Sequence, residues 1–176
     1  MKQGTICVQG AYRPKNGEPR VLPIVQSTTY KYDSSVEMGD LFDLKKSGYF
    51  YSRLQNPTND TVAAKITMLE GGVAGMLTSS GQAANFYAVF NIAQAGDHIV
   101  SSSAIYGGTY NLFNVTMRKL GIDFTFVSPD ATEEEIQAAF KPNTKAVFGE
   151  TISNPSLDIL DIERFAKVCL LYTSPS

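Results

Sequence analysis

The sequence contains few of the residues from which metal sites and disulfides are built. Among its 176 residues there are two cysteines and one histidine. Cys7 and Cys169 are too few and too far apart in sequence to suggest a disulfide framework or a zinc site, so the reducing cytoplasm is the expected compartment. Because His98 is the only histidine, we expect no histidine-rich metal site, and any acid–base chemistry must use other groups.

Long runs of one residue type are also missing. No apolar stretch approaches the roughly 20 residues that span a membrane, and the N-terminus lacks the apolar core of a signal peptide. The longest lysine or arginine run is the pair Lys45-Lys46, and the net charge is -2, so nothing indicates nucleic-acid binding. A hydrophobic content of 43% is typical of a globular protein, and the length suits one domain with a real core.

The chain divides near residue 58. Residues 1–57 contain several prolines and glycines and no long periodic run, which predicts an extended arm with short local structure. Such an arm cannot bury its own apolar residues, so we expect them to pack on a partner subunit. These residues include Val21, Leu22, Ile24, Val25, Tyr30 and Phe42.

Residues 58–176 alternate between helical and strand patterns, which predicts an α/β fold with a parallel sheet and helices on its faces. Thr58 is predicted to cap the first helix, Thr132 and Glu135 to form a capping box, and Asp161 to cap the last helix. The predicted strands are 74–78, 98–101, 124–127 and 145–150. The predicted helices are 58–69, 82–95, 109–120, 132–140 and one that follows residue 161.

The stretch Tyr-Ser-Arg-Leu-Gln-Asn-Pro-Thr at 51–58 places an arginine next to a turn that leads into a helix. The planar guanidinium of Arg53 suits phosphate or carboxylate, and the hydroxyl of Tyr51 can bind the same oxygens. The stretch therefore predicts an anion clamp. A surface turn with one exposed arginine is the alternative.

Other candidate residues follow the predicted strands, where ligands of parallel sheets bind. Ser79-Ser80-Gly81-Gln82-Ala83 leads into a helix N-terminus that favours a phosphate, or it is an ordinary cap. Tyr106 can stack on a planar ligand or serve only packing, and Asn154 can donate a hydrogen bond or mark a turn. Neither G-x-G-x-x-G after a strand nor a P-loop occurs, which disfavours a nicotinamide dehydrogenase. Together these segments predict a pocket for a flat, phosphorylated ligand.

Four segments in order, 51–58, 79–84, 106–109 and 150–155, resemble the cysteine and methionine metabolism family of pyridoxal-phosphate enzymes. The resemblance covers residues from about 4 to 168. It implies the aminotransferase-like fold type I, with three layers and a mainly parallel sheet. It also implies a homo-oligomer, either a dimer or a tetramer built from two dimers, in which the N-terminal arm embraces a partner.

The resemblance also implies a role for each matched residue. Five residues would bind the phosphate of pyridoxal 5'-phosphate: Tyr51, Arg53, Ser80, Gly81 and Gln82. The first two would reach it from the neighbouring subunit, and the others would bind it in their own subunit. Tyr106 would stack on the pyridine ring and transfer protons near the substrate, while Asn154 would bond the phenolic oxygen of the ring.

Segments 17–24, 26–29 and 54–57 are most similar to the branch of the family that acts on O-acetylhomoserine, since other branches usually have glycine in place of Gln55. This implies that O-acetylhomoserine reacts with sulfide or methanethiol to give homocysteine or methionine and acetate, with pyridoxal phosphate as the electron sink. The alternatives are cystathionine synthesis, methionine cleavage, or a non-catalytic interaction fragment.

The resemblance also implies that essential groups are missing from these 176 residues. The Schiff-base lysine is expected well beyond residue 176, and none of the ten lysines matches its motif. The aspartate that pairs with the pyridine nitrogen and the arginine that binds the substrate carboxylate are expected beyond it too. Residues 58–176 are therefore expected to form an incomplete cofactor-binding domain that is inactive alone. Residues 169–176 depart from the family pattern, and we expect them to be non-native.

Overall fold

The computed structural model describes residues 1–173, and the chain divides into two compact units, Met1–Thr78 and Ser79–Ser176. The first unit contains α1 (Gln3–Gln9), α2 (Ser35–Phe42) and α3 (Pro57–Glu70). The division into an arm (1–57) and a cofactor domain (58–176) stays a prediction. Within the described part of the chain, no helix is both long and apolar enough to cross a membrane.

The second unit contains all of the sheet. Its strands are β1 (His98–Ser102), β2 (Asp123–Val127) and β3 (Thr144–Phe148), and its helices are α4 (Gly81–Ile92), α5 (Gly107–Asn111), α6 (Glu133–Ala138) and α7 (Ile162–Thr173). The three strands are parallel in the order β2-β1-β3, which confirms the predicted α/β fold. The central strand β1 is buried along its whole length.

Two apolar clusters cover the two faces of this sheet. One joins α4 and the helix after β1 to Ile99 and Phe124. The other packs α6 and α7 against Val127 and Val147. Because successive side chains of a strand point to opposite faces, Phe124 and Val127 lie in different clusters. The unit therefore has helices on both sides of a sheet, as alternating helices and strands predict.

The predicted strand at 74–78 is wrong. The segment has no strand structure, and Met76 is 75% exposed. Gly75 instead lies against α3, where an added Cβ would stand 2.7 Å from Thr67 Oγ1 and 3.1 Å from the Ala63 carbonyl oxygen. The apolar run that indicated a buried strand therefore follows a helix surface, without a neighbouring strand to complete a hydrogen-bonded ladder.

The predicted cap of α3 is also wrong. Asn56, with extended backbone angles, accepts hydrogen bonds from the N–H groups of Thr58 and Asn59, while Pro57 occupies the first helical position, where its missing N–H costs nothing. The hydroxyl of Thr58 instead accepts from Val25 N at 2.9 Å. In contrast, the capping box of Thr132 and Glu135 is confirmed.

Other element ends shift by a few residues. The predicted helix 109–120 begins earlier, at Gly107, and continues from α5 as a π-helix over Leu112–Met117. Asp161 does cap α7, because its Oδ1 accepts from Arg164 N at 3.0 Å. The stretch 169–176, expected to be non-native, lies partly in α7, and residues 174–176 lie outside the described residues.

Candidate functional site

The N-terminus of α4 has features that favour an anion. Ser80 is the cap residue, and its hydroxyl accepts from Ala83 N at 3.1 Å. The first N–H groups of a helix have no acceptor within the helix and carry its positive dipole end. At Gly81, an added Cβ would meet no atom within 4 Å. A ligand can therefore approach the backbone here without displacing any side chain.

Tyr106 lies just beyond the carboxyl end of β1 and is 50% exposed. Its backbone N–H donates to Glu150 Oε1 at 3.0 Å, which ties it to the segment after β3. At Gly108, an added Cβ would lie 2.5 Å from Tyr106 Cε1 and 2.8 Å from Gln82 Nε2. A residue with a Cβ would have to displace these groups, so the ring of Tyr106 and the amide of Gln82 both lie close to Gly108.

Thr109 fixes the orientation of that amide. It is 1% exposed, and its hydroxyl donates to Gln82 Oε1 at 3.3 Å and accepts from Asn85 Nδ2 at 3.0 Å. These bonds connect the first turns of α4 and α5. The helix end that suits a phosphate and the ring that suits a planar group therefore form one surface.

Asn154 lies in the loop after β3, which an isolated antiparallel bridge between Ile152 and Ile159 closes. Ser153 is buried and accepts from Asp158 N at 2.9 Å, whereas Asn154 is exposed and precedes a cis peptide bond to Pro155. Among residues 1–173, Asn154 makes no hydrogen bond with Gln82 or Tyr106. It follows the carboxyl end of β3, as Tyr106 follows that of β1.

Tyr51 and Arg53 belong to the first unit. The guanidinium carbon of Arg53 lies 5.0 Å from the centroid of the Tyr51 ring, which is a cation–π contact. Arg53 is exposed, while a backbone bridge to Thr29 holds Tyr51. The two predicted clamp residues therefore lie side by side, with the charge facing solvent.

The only histidine lies at the other end of β1. The Nδ1 of His98 is 2.8 Å from Thr144 Oγ1, and its Nε2 is 2.9 Å from Thr125 Oγ1. Burial, aided by the positive charge of Lys141, lowers the pKa of His98. The imidazole is therefore held as a neutral core group that links three strands.

The lysines of the second unit do not lie beside Tyr106. Lys141 and Lys145 stand at the amino end of β3, where they pair with Asp123 at 2.6 Å and with Asp97 at 3.8 Å. Lys119 precedes β2, and Lys167 pairs with Glu133 at 2.7 Å. None of these four side chains is placed to attach a cofactor covalently at Tyr106.

A helix N-terminus and an exposed aromatic ring near the carboxyl edge of a parallel sheet form an arrangement that suits a phosphorylated, planar ligand. The family of Cys/Met metabolism PLP-dependent enzymes matches residues 4–172. The chain belongs to this family, whose cofactor is pyridoxal phosphate. The predicted fold type and cofactor are thereby confirmed.

Individual relatives support the same assignment. The chain is 50% identical over 149 residues to O-acetyl-L-homoserine sulfhydrylase of Corynebacterium glutamicum, covering 85% of the chain and 34% of that protein. It is 42% identical over 171 residues to O-acetyl-L-homoserine sulfhydrylase 1 of Thermus thermophilus, covering 95% of the chain and 40% of that protein. The chain thus spans well under half the length of these relatives.

A solved structure matches the whole arrangement. It is a Campylobacter jejuni protein described as an O-acetylhomoserine (thiol)-lyase, with a TM-score of 0.87 and 34% identity over 98% of this chain and 42% of that chain. That crystal structure contains N'-pyridoxyl-lysine-5'-monophosphate. The open helix end at Gly81 and the adjacent ring of Tyr106 fit such a phosphorylated pyridine.

Sequence reasoning missed three supporting residues. Glu150 holds the backbone of Tyr106, and Thr109 orients Gln82; no local pattern marks either role. The third is Asn56, which caps α3 in place of the predicted Thr58, although an asparagine directly before proline at a helix start is itself a typical cap signal.

Proposed function

We propose that this chain provides the phosphate-binding part of a pyridoxal-phosphate site. The backbone N–H groups of Gly81 and Gln82 and the Ser80 cap receive the phosphate, and the ring of Tyr106 stacks on the pyridine. Tyr51 and Arg53 reach the phosphate of a neighbouring subunit. The observation that carries this proposal is the open position at Gly81 beside the Gln82–Tyr106 pair.

The reaction of the whole protein is, in our proposal, the replacement of the acetate of O-acetylhomoserine by sulfide or methanethiol, to give homocysteine or methionine. Bound pyridoxal phosphate supplies an electron sink for this chemistry. The protein would bind and orient it: Asn154 would donate to the phenolic oxygen, and the hydroxyl of Tyr106 would move a proton near the substrate. The names of the relatives and Gln55 support this branch of the family.

We propose that the protein is a homo-oligomer, because Tyr51 and Arg53 are proposed to bind the cofactor phosphate of a neighbouring subunit. Apolar side chains of the first unit, such as Val21 and Ile24, are exposed, and a second copy would cover them. A cytoplasmic location is part of the same proposal.

The chain alone is proposed to be inactive, because the lysines of its second unit are engaged or placed away from Tyr106. Borohydride treatment with pyridoxal phosphate should therefore label no single lysine stoichiometrically. Stoichiometric labelling of one of the ten lysines would contradict this.

Replacement of Gly81 by alanine tests the cofactor site. The folded chain has space for the added methyl group, so its stability should hold, while the methyl group occupies the approach to the helix N-terminus. We expect the affinity for pyridoxal phosphate, measured by fluorescence titration, to fall about tenfold. Gly39→Ala is the matched control, since Gly39 in α2 is equally open. Equal affinities in both variants would overturn the proposal.

A further inference from the structure

We infer that Asn56 is a positioning residue for the Tyr51–Arg53 clamp, an inference that rests on the proposed phosphate-binding role of those two residues. Asn56 is 6% exposed, although asparagine is usually a surface residue. A buried amide requires partners for both of its ends. The partners of Asn56 connect the start of α3 to the loop that carries the clamp.

The oxygen of the Asn56 side chain serves the helix. Its Oδ1 accepts from Thr58 N at 2.9 Å and, at the longer distance of 3.5 Å, from Asn59 N. These bonds fix the side chain relative to the first turn of α3. They account for the helix cap, but they involve only the oxygen of the amide group and not its nitrogen.

The nitrogen of the same side chain donates hydrogen bonds to the preceding loops. Its Nδ2 donates to the Val25 carbonyl oxygen at 3.0 Å and to Ser52 Oγ at 3.0 Å, with Tyr30 OH at 3.4 Å. An amide group has two N–H donors, and the two shorter contacts use both. Asn56 therefore fixes Ser52, the residue between Tyr51 and Arg53, directly to a helix end.

Ser52 is held at its backbone N–H and at its hydroxyl. Its backbone N–H donates to the Thr28 carbonyl oxygen at 2.9 Å, and its hydroxyl donates to the Ser27 carbonyl oxygen. The same hydroxyl oxygen then accepts from Asn56, and Tyr30 OH lies 3.2 Å from it. Because this residue cannot rotate without breaking several bonds, the backbone on either side of it presents the phenol of Tyr51 and the guanidinium of Arg53 in one orientation.

No apolar core fixes the orientation of Tyr51 and Arg53. The buried apolar residues of the first unit are Leu41 and Ala63, and neither is adjacent in sequence to the clamp. Bidentate binding of phosphate by arginine depends on the orientation of its planar group. A loss of the Asn56 donors should thus weaken phosphate recognition specifically, and not binding in general.

Asn56→Ser is the informative substitution, because serine retains a cap oxygen but has no amide donors. The chain, its Asn56→Ser variant and its Arg53→Ala variant are titrated with pyridoxal 5'-phosphate and with pyridoxal, which lacks the phosphate. We expect Asn56→Ser to lower the affinity for pyridoxal 5'-phosphate relative to that for pyridoxal about fivefold. When Arg53 is already alanine, Asn56→Ser should lower this ratio no further, because the effects of coupled residues are not additive.

Ser52→Ala provides a second route, since it removes the hydroxyl at the centre of the network and leaves the α3 cap intact; we expect the same fall in the ratio. Ser34→Ala, which removes the cap of α2, should leave the ratio unchanged. Equal losses for both ligands in Asn56→Ser, or full additivity with Arg53→Ala, would overturn the positioning role alone. If the unmodified chain did not distinguish pyridoxal phosphate from pyridoxal, the proposed cofactor site itself would fail, and this inference with it.

Discussion

The two units of this chain are organised by different forces. The second unit has two apolar clusters on the faces of a parallel sheet, so its side chains are positioned by close packing. The first unit buries few apolar side chains and is connected instead by hydrogen bonds around Asn56 and Ser52. Packed cores tolerate little movement, whereas a polar network depends on each of its members.

This difference bears on how each unit contributes to a site. Gln82 lies in the first turn of α4 and Tyr106 is the N-cap residue of α5, and the core fixes the positions of both helices. Tyr51 and Arg53 stand on a loop that the hydrogen bonds of Ser52 and of the buried Asn56 amide fix. The first unit also leaves large apolar side chains exposed, among them Phe42 at 64% and Val21 at 79%. We therefore expect the second unit to be the more stable one.

Truncation of one aromatic ring in each unit should show the largest contrast. Phe113 is fully buried, stacks on Phe124 with centroids 4.7 Å apart, and meets Phe148 edge-on. Phe113→Ala should lower the free energy of unfolding by about 3–5 kcal/mol, as measured by urea denaturation.

Phe42→Ala is the matched change in the first unit. The ring of Phe42 lies with its centroid 4.5 Å from that of Phe50 but is largely exposed. Its expected cost is about 1 kcal/mol or less, because little apolar area returns to water. Similar costs for the two phenylalanines would remove the distinction between a packed unit and a hydrogen-bonded one.

The pH dependence of stability should also separate the units, with a smaller effect. Because burial lowers the pKa of His98 in the folded chain, the unfolded chain binds the proton first as the pH falls. Stability of the second unit should be complete above the ordinary value of 6.5 and should decrease as the pH falls from there towards the lowered folded value.

His98→Gln should abolish this dependence, and hydrogen exchange of β1 amides at pH 5 and pH 7.5 would measure it. The first unit contains no histidine, so its exchange should lack this component. A second unit as stable at pH 5 as at pH 7.5 would show that the imidazole is not held neutral.

Surface ion pairs should contribute least. The hydrogen bond that Lys141 donates to Asp123 is the main cause of the lowered pKa of that carboxyl group. The contribution of this ion pair to stability is therefore present above about pH 4 and is lost as the pH falls below it. Both groups are partly exposed, and Lys141→Gln should cost below about 1 kcal/mol. Lys45→Gln, which breaks the Lys45–Asp43 pair of the first unit, should cost equally little. A large difference in thermal unfolding between these two variants would mean that surface charge, and not packing, distinguishes the units.

Much of the second unit could be predicted from the sequence. Strands β1 and β2, the capping box at Thr132 and the cap at Asp161 follow local rules of periodicity and capping. The placement of Tyr106 at the carboxyl edge follows from one topological rule for parallel sheets. The same rule does not explain the position of Gln82, because the strand predicted before it at 74–78 is absent.

The remaining features depend on contacts that local patterns do not encode. The run at 74–78 has the composition of a buried strand, but Gly75 packs on Thr67 and Ala63 instead. The contact of Glu150 with Tyr106 joins residues 44 positions apart, and the network around Asn56 joins loops 31 positions apart. Such pairings arise from the tertiary arrangement, so only the structure shows them.

Amide NMR shifts test whether the phosphate of the cofactor binds at the N-terminus of α4. Inorganic phosphate and then pyridoxal phosphate would be titrated into the ¹⁵N-labelled chain. We expect the amide signals of Gly81 and Gln82 to move and to saturate with both ligands, while that of Gly39 does not. Signals at Gly81 and Gln82 that move no more than that of Gly39 would contradict it.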